Sequence, residues 1–151
     1  MGIYAEKAVK LFKEDGWNCA QSVYGAFTDL TGMDQRTAMR ISSSFGGGMG
    51  RLREVCGAVS GAIMVLGVLF ACDDPTDLDA KAAHYALVQD FAARFKERAG
   101  TIICRELIAN QADTAPTPEP RTEKYYKKRP CALLVQDAAE IVEEILAERA
   151  G

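Results

Sequence analysis

Apolar residues recur every three or four positions along most of the chain, which is the spacing of helices that pack one face against a core. In the last segment, for example, Leu134, Ala138 and Ile141 share one face, and several glutamates lie on the other. No segment alternates apolar and polar residues convincingly, as a half-buried strand does. The pattern therefore predicts helices over residues 3–13, 19–30, 35–44, 54–71, 77–98, 103–110 and 132–149.

Helix-breaking residues separate these segments. The strongest break is the glycine-rich stretch at residues 42–50. The stretch at 113–130 holds four of the five prolines and is typical of a long exposed loop. Asn18 and Asp34 are typical N-cap residues and mark the starts of the second and third helices. The sequence therefore predicts an all-α, single-domain bundle of six or seven helices over residues 1–151.

Length and charge restrict the class of protein. A chain of 151 residues is long enough to bury a core without disulfide staples. The formal net charge of -3 argues against non-specific binding of nucleic acid, since that binding needs a basic surface. We therefore expect no nucleic-acid partner.

The apolar stretches do not indicate a membrane protein. The longest, residues 58–72, is interrupted by Ser60 and two glycines and is shorter than the about 20 residues that a spanning helix needs. The first seven residues lack the charged and apolar regions of a signal peptide. We expect no membrane insertion and a cytoplasmic location. Structural disulfides are rare there, so five cysteines indicate thiol or metal chemistry.

Four of the five cysteines stand where a helix is predicted to begin. Cys19 opens the second helix, and Cys56 follows the glycine-rich stretch. Cys104 comes shortly after a glycine terminator, and Cys131 directly follows Pro130. A helix N-terminus presents unpaired N–H groups and about half a positive charge, and both favour a thiolate over a thiol. These positions suggest one electropositive site lined by four sulfur atoms.

The spacing of these cysteines limits the kinds of site that they can form. No CxxC pair occurs, which argues against zinc ribbons and thioredoxin-like motifs, since both depend on locally paired cysteines. A site assembled by folding stays open, with one ligand from each helix start. Four cysteines are the common ligand set of an iron–sulfur cluster. The alternative is that all four are inert, buried thiols.

Five runs of residues together resemble one known family. They are residues 18–23, 45–51, 55–62, 104–107 and 130–131. Their content and order closely resemble the putative redox-active family named for its C_GCAxxG_C_C pattern, and the resemblance spans nearly the whole chain. Cys19 matches the first cysteine of the pattern, and Cys104 and Cys131 match the last two. The residues that match the central element are Cys56, Gly57, Ala58 and Gly61.

The resemblance implies redox chemistry without defining it closely. A related module in split-Soret cytochromes is associated with an iron–sulfur centre. By analogy, this implies a cluster whose ligands here are Cys19, Cys56, Cys104 and Cys131. The haem part of that relationship does not carry over, because this chain has no CxxCH motif.

Glycines near the cysteines are candidate contacts for such a cofactor. Glycine leaves backbone N–H groups unobstructed and tolerates positive φ, so a glycine loop can fold closely over an anionic centre. Gly57 and Gly61 lie four residues apart and let a cluster approach the helix, or else form only a close-packing notch. Arg51, Arg53 and Arg105 either offset thiolate charge or are solvated. The candidate cofactor-binding residues are Gly46, Gly47, Gly48, Gly50, Arg51, Gly57 and Gly61.

Three further features are interpreted as lying outside the site. Cys72 stands beside two aspartates at a helix C-terminus, a setting that disfavours a thiolate. His84, the only histidine, has no supporting motif and is interpreted as a surface or partly packed residue. The basic and aromatic run at 124–129 is interpreted as a solvated loop end, the alternative being a docking patch for an anionic partner.

Three functions agree with the sequence. The first is an electron-transfer or redox-sensing protein with an iron–sulfur cluster and an electron-transfer partner. The second is a cluster-free protein whose cysteines cycle between thiol and disulfide, and the third is a helical binding domain with structural zinc. Long apolar helix faces also lead us to expect a homodimer. Whether the protein is an enzyme stays open.

Overall fold

Helices make up nearly all the regular structure of the chain. The computed structural model describes residues 1–150, with Asn110 described by its backbone alone. Within this range there are nine α-helices, one 3-10 turn and no β-strand. The helices are α1 (Ile3–Lys13), α2 (Cys19–Ala26), α3 (Thr28–Thr31), α4 (Gln35–Ser43), α5 (Gly57–Phe70), α6 (Leu78–Ala99), α7 (Cys104–Ile108), α8 (Glu123–Lys128) and α9 (Cys131–Ala150). The 3-10 turn, Ala109–Gln111, follows α7.

The predicted all-α class is confirmed. Each predicted segment contains at least one helix, and six of the nine helices have eight or more residues. Two predicted N-caps are confirmed as well. The Asp34 carboxylate accepts a hydrogen bond from the Thr37 N–H at 2.9 Å, and the Asn18 side chain accepts one from the Gln21 N–H at 2.9 Å. Local capping chemistry therefore sets these helix starts.

The prediction of one helix over residues 19–30 is wrong, because the chain breaks at Phe27. Its φ and ψ angles are -105° and 18°, and its N–H bonds to the Tyr24 carbonyl at 3.3 Å. Phe27 is fully buried, and its ring stacks on Tyr4 with the centroids 4.6 Å apart. Packing of this ring in the core outweighs the local preference for a continuous helix.

Helix α5 begins at Gly57 rather than at the predicted residue 54. The residues just before it do not continue the helix, and Val55 forms an isolated antiparallel bridge with Ile103. Backbone hydrogen bonds on either side of the bridge hold the two segments together. The helix therefore starts only after these backbone groups have found other partners.

Helix α8 lies in the stretch that we predicted to be a loop. Thr122 caps it by accepting a hydrogen bond from the Tyr125 N–H at 3.3 Å. Glu123 in the first turn and two lysines in the last turn complement the helix dipole. The prolines just before Thr122 favour a loop, so the sequence pattern does not predict this short helix.

The core lies among α1, α2, α5, α6 and α9. Helix α2 contacts α1, α4, α5 and α9, and α9 also contacts α1, α5 and α6. The largest fully buried side chains are Phe12, Phe27, Phe91, Phe95, Leu66, Ile141 and Ile145. Much of the apolar surface of α5 and α9 is buried within this core. Among the helices of residues 1–150, none is long and apolar enough to cross a membrane.

Candidate functional site

The start of α2 positions Cys19. The Asn18 side chain and the Gln21 side chain cap the helix reciprocally, since each accepts a hydrogen bond from the other residue's backbone N–H. The Asn18 side-chain NH2 group also donates to the Ser43 carbonyl at 3.1 Å. This bond ties the cysteine-bearing helix start to the end of α4, where the glycine-rich loop begins.

The antiparallel bridge brings Cys56 and Cys104 together. The Cys56 N–H donates to the Ile102 carbonyl at 2.8 Å, and the Cys104 N–H donates to the Glu54 carbonyl at 2.6 Å. A third bond, from the Arg105 N–H to the carbonyl of residue 53, extends the pairing at 3.2 Å. Two cysteines that are distant in sequence are therefore held at adjacent helix starts by backbone alone.

All four helix-start cysteines line one cavity of about 50 Å³. Cys56 and Cys104 are buried, and Cys19 and Cys131 are half-buried. Cys72 does not line it; its thiol is exposed beyond the far end of α5, where it shares a surface pocket with His84. The structure thus unites the four predicted residues and separates the fifth cysteine from them.

Two glycines make room for cysteine side chains. A Cβ atom on Gly57 would lie 2.4 Å from the Cys19 sulfur and 2.9 Å from the Phe45 carbonyl oxygen. A Cβ atom on Gly48 would lie 2.6 Å from the Cys104 Cβ. The close approach of the cysteine-bearing segments therefore depends on glycine at both positions.

The other predicted contact residues lie at different distances from the cysteines. Gly47 and Gly57 line the cysteine cavity itself. Gly46, Gly50 and Arg51 line a neighbouring, outer pocket. A Cβ atom on Gly61 would lie 2.6 Å from the Ala20 carbonyl oxygen, so Gly61 forms the close contact between α5 and α2.

Three arginines also line the cysteine cavity. Only Arg53 among them was a candidate from the sequence. Arg53 is only 2% exposed, and its Nη1 lies 3.8 Å from the Cys104 sulfur. Arg129 is 8% exposed, and Arg121 lies beside it. The interpretation of residues 124–129 as a solvated loop end is therefore wrong, since residues 124–128 belong to α8 and both Tyr125 and Arg129 line the cavity. The position of Arg129 immediately before Pro130–Cys131 was the signal available in the sequence.

Burial makes the thiols less acidic than their helix starts suggested. The pKa of Cys56 is raised well above its ordinary value, first by desolvation and then by the neighbouring Cys19. The backbone N–H groups of Ala58 and Val59 act in the opposite direction, with a smaller effect. Burial likewise raises the pKa of Cys104 and raises that of Cys131 to about 12. The expectation that the helix starts favour thiolates is wrong for these three residues, because desolvation is the largest effect on the pKa of each of them.

The positive charges only partly offset this desolvation. Arg53 lowers the pKa of Cys104 through its hydrogen bond and its charge, and Arg129 lowers the pKa of Cys131 through its charge. In both residues desolvation remains the larger effect. Within residues 1–150, no group of three or more cysteine, histidine, aspartate or glutamate side chains is arranged to hold a metal ion.

Comparison with known proteins identifies one family. The model of a family described as "Putative redox-active protein (C_GCAxxG_C_C)" matches residues 17–145. This range contains all four cysteines of the cavity and both glycines that accommodate them. No curated protein matches the chain. No solved structure matches it.

Proposed function

Since this chain belongs to the C_GCAxxG_C_C family of putative redox-active proteins, we propose that its cysteine cavity holds an iron–sulfur cluster used in electron transfer or redox sensing. The observation that carries the proposal is the meeting of four cysteines, each from a different helix start, at one cavity. Thiolates alone can hold such a cluster, and four cysteines are its common ligand set. The proposed ligands are Cys19, Cys56, Cys104 and Cys131, whose side chains would have to move closer together to hold the cluster, because no three of them lie in a metal-holding arrangement in this structure.

The size and shape of the cavity support a small inorganic guest. The cavity has a volume of about 50 Å³, and one water molecule needs about 10–15 Å³, so a guest of a few atoms can enter. The glycine at position 57 leaves the Cys19 sulfur free to face the cavity. When bound, the cluster would supply reversible one-electron chemistry.

The charges around the cavity support an anionic guest. Arg53, Arg121 and Arg129 line the cavity together with the cysteines. Their positive charges favour a centre that is negative once its four thiolates are counted. The iron ions of the cluster would in turn stabilise the thiolates that burial now disfavours.

The apolar lining has a separate role. Phe12, Leu107, Ile108 and Leu134 line the cavity together with the cysteines. Such side chains exclude water and lower the local dielectric constant, and both effects influence a reduction potential. We propose that these residues keep the metal centre from solvent.

Thiol–disulfide cycling is the second candidate, and one observation favours it. The charge of Cys19 raises the pKa of Cys56, Cys104 and Cys131, so Cys19 lies near all three other thiols. It is also half-buried, whereas Cys56 and Cys104 are buried. In this function Cys19 would exchange disulfide partners within the cavity.

The proposed electron transfer needs a partner protein that supplies or accepts electrons. We also propose a homodimer, for which the exposed Val68 on α5 is one candidate contact. The burial of much of α5 and α9 within the chain leaves less apolar surface for this dimer than their sequences suggested. Light scattering at micromolar concentration would measure the mass, and a monomer mass would overturn the dimer.

Spectroscopy of protein purified without oxygen tests the proposed function. A cluster would give iron and acid-labile sulfide in equal amounts and a broad visible absorption that bleaches on reduction with dithionite. Zinc without iron would instead support a structural metal site. A colourless protein without metal, with a reversible disulfide on thiol titration, would support the second candidate and contradict the first.

A further inference from the structure

A second pocket opens beside the cysteine cavity and shares part of its wall. It has a volume of about 370 Å³, which is large enough for a small molecule. The glycine-rich loop forms one side, through Gly46, Gly47 and Gly50. The segment with Pro116, Pro118 and Glu119 forms another. We call this space the arginine pocket, after the four arginines that complete its lining: Arg51, Arg53, Arg121 and Arg129.

The charge of the arginine pocket is strongly one-sided. Four arginines and one glutamate line it, and the remaining lining residues are uncharged, so its net charge is +3. Guanidinium groups bind carboxylates and other oxyanions through paired N–H bonds. In a partly enclosed pocket such an excess of positive charge favours an anion of two or more charges.

Two buried N–H groups on this wall lack partners. Arg53 and Arg129 are more than nine-tenths buried, and each has one guanidinium nitrogen without an acceptor among the described residues. Arg53 already donates through Nε to the Asp113 carbonyl at 2.9 Å, which orients its guanidinium group. An acceptor bound in the arginine pocket would satisfy both donors.

Glu119 marks the position that an anion would take. Its carboxylate accepts a hydrogen bond from Arg129 and lies 4.0 Å from Arg51. The Arg51 guanidinium also donates to the carbonyls of Ala115 and Thr117, which fixes the wall on that side. One carboxylate from the chain itself therefore already occupies part of the pocket and leaves most of the positive charge unneutralised.

We propose that the arginine pocket binds a small dianion that presents several oxygen atoms to Arg53 and Arg129. The ligand is either a tetrahedral oxyanion or a small dicarboxylate, since both have this chemistry. The site adjoins the cysteine cavity through residues that line both spaces, among them Gly47, Arg53 and Arg129.

Calorimetric titration of the purified protein tests this site. Sodium sulfate and disodium malonate serve as the two probes, with sodium chloride at equal ionic strength as the reference. We expect saturable binding of one dianion per chain by at least one probe, and the preferred probe distinguishes the two ligand types. Arg129→Gln should weaken that binding about tenfold or more, since it removes a charge-assisted hydrogen bond.

Two further variants distinguish a specific loss of dianion binding from misfolding. Arg105→Gln changes an arginine next to Cys104 whose guanidinium pairs with Glu54 outside the pocket, so it should leave the affinity unchanged. Glu119→Gln removes the competing carboxylate and should strengthen binding several-fold, which a damaged fold cannot do. Heats equal to those of chloride, or equal affinities in all four proteins, would overturn the proposal. Iron content measured on the same samples keeps this result separate from the proposed cluster.

Discussion

The sulfur of Cys19 lies 2.4 Å from the position that a Cβ atom on Gly57 would occupy. Helices α2 and α5 therefore meet at their N-termini only because residue 57 has no side chain. Gly61 repeats this close contact one turn later, against the Ala20 carbonyl oxygen. The packing of two core helices and the placement of one cysteine are thus parts of the same contact.

Gly57→Ala should destabilise the fold and disturb the cysteine cavity. Rotation of the Cys19 side chain cannot remove the clash, since the Phe45 carbonyl oxygen would lie 2.9 Å from the new methyl group. Overpacking of this kind costs about 1–3 kcal/mol. Urea denaturation measures the loss. Gly67→Ala is the matched control on the same helix, with nothing within 4 Å of its Cβ, and should stabilise by about 0.5–1 kcal/mol. Equal effects of the two changes would contradict the contact.

Gly48→Ala should be more harmful than Gly50→Ala in the same loop. Both residues have positive φ, +69° and +56°, so alanine is strained at either position by about 1–2 kcal/mol. Only at position 48 would the methyl group also collide with backbone, 2.8 Å from the Arg53 Cα. Thermal unfolding of the two variants measures the difference. A lower melting temperature for Gly50→Ala would show that the loop packs differently.

Four of the five thiols of the cofactor-free protein should react in two groups. Cys72 is exposed and should react with a thiol reagent first, as about one equivalent. Cys56, Cys104 and Cys131 should react slowly, because only a thiolate attacks and burial holds their pKa values above the ordinary range. Raising the pH should therefore accelerate the slow group, as its thiols begin to ionise. Time-resolved titration measures both groups, and five equally fast thiols would contradict the buried cavity.

The helix starts could be predicted from the sequence because their causes are local. Asn18 and Asp34 cap helices with their own side chains, and the glycine-rich loop ends α4. Four cysteines at such positions, together with the family pattern, were enough to suggest a shared site. The break at Phe27 could not be predicted, since it depends on ring packing against distant Tyr4.

The details of the site depend on contacts between distant segments. The bridge between Val55 and Ile103 sets the start of α5, and no local pattern of residues reveals it. The same pairing of segments accompanies the burial of Arg53, whose φ of 61° lies in the left-handed region. The sequence alone did not decide whether this arginine offsets thiolate charge or is solvated. The direction of the thiol pKa shifts was mispredicted for a related reason. The helix dipole is a local property, whereas desolvation depends on the folded surroundings.

The most direct test of the account is the iron and acid-labile sulfide content of two serine variants purified without oxygen. A serine hydroxyl keeps the size of the cysteine side chain but is a far poorer ligand for iron. Cys56→Ser, at the cavity, should lose most of both iron and sulfide, whereas Cys72→Ser, beyond the other end of the same helix, should retain both at the level of the unmodified protein. Equal iron and sulfide in the two variants, or none in the unmodified protein, would contradict the proposal that these four cysteines hold a cluster.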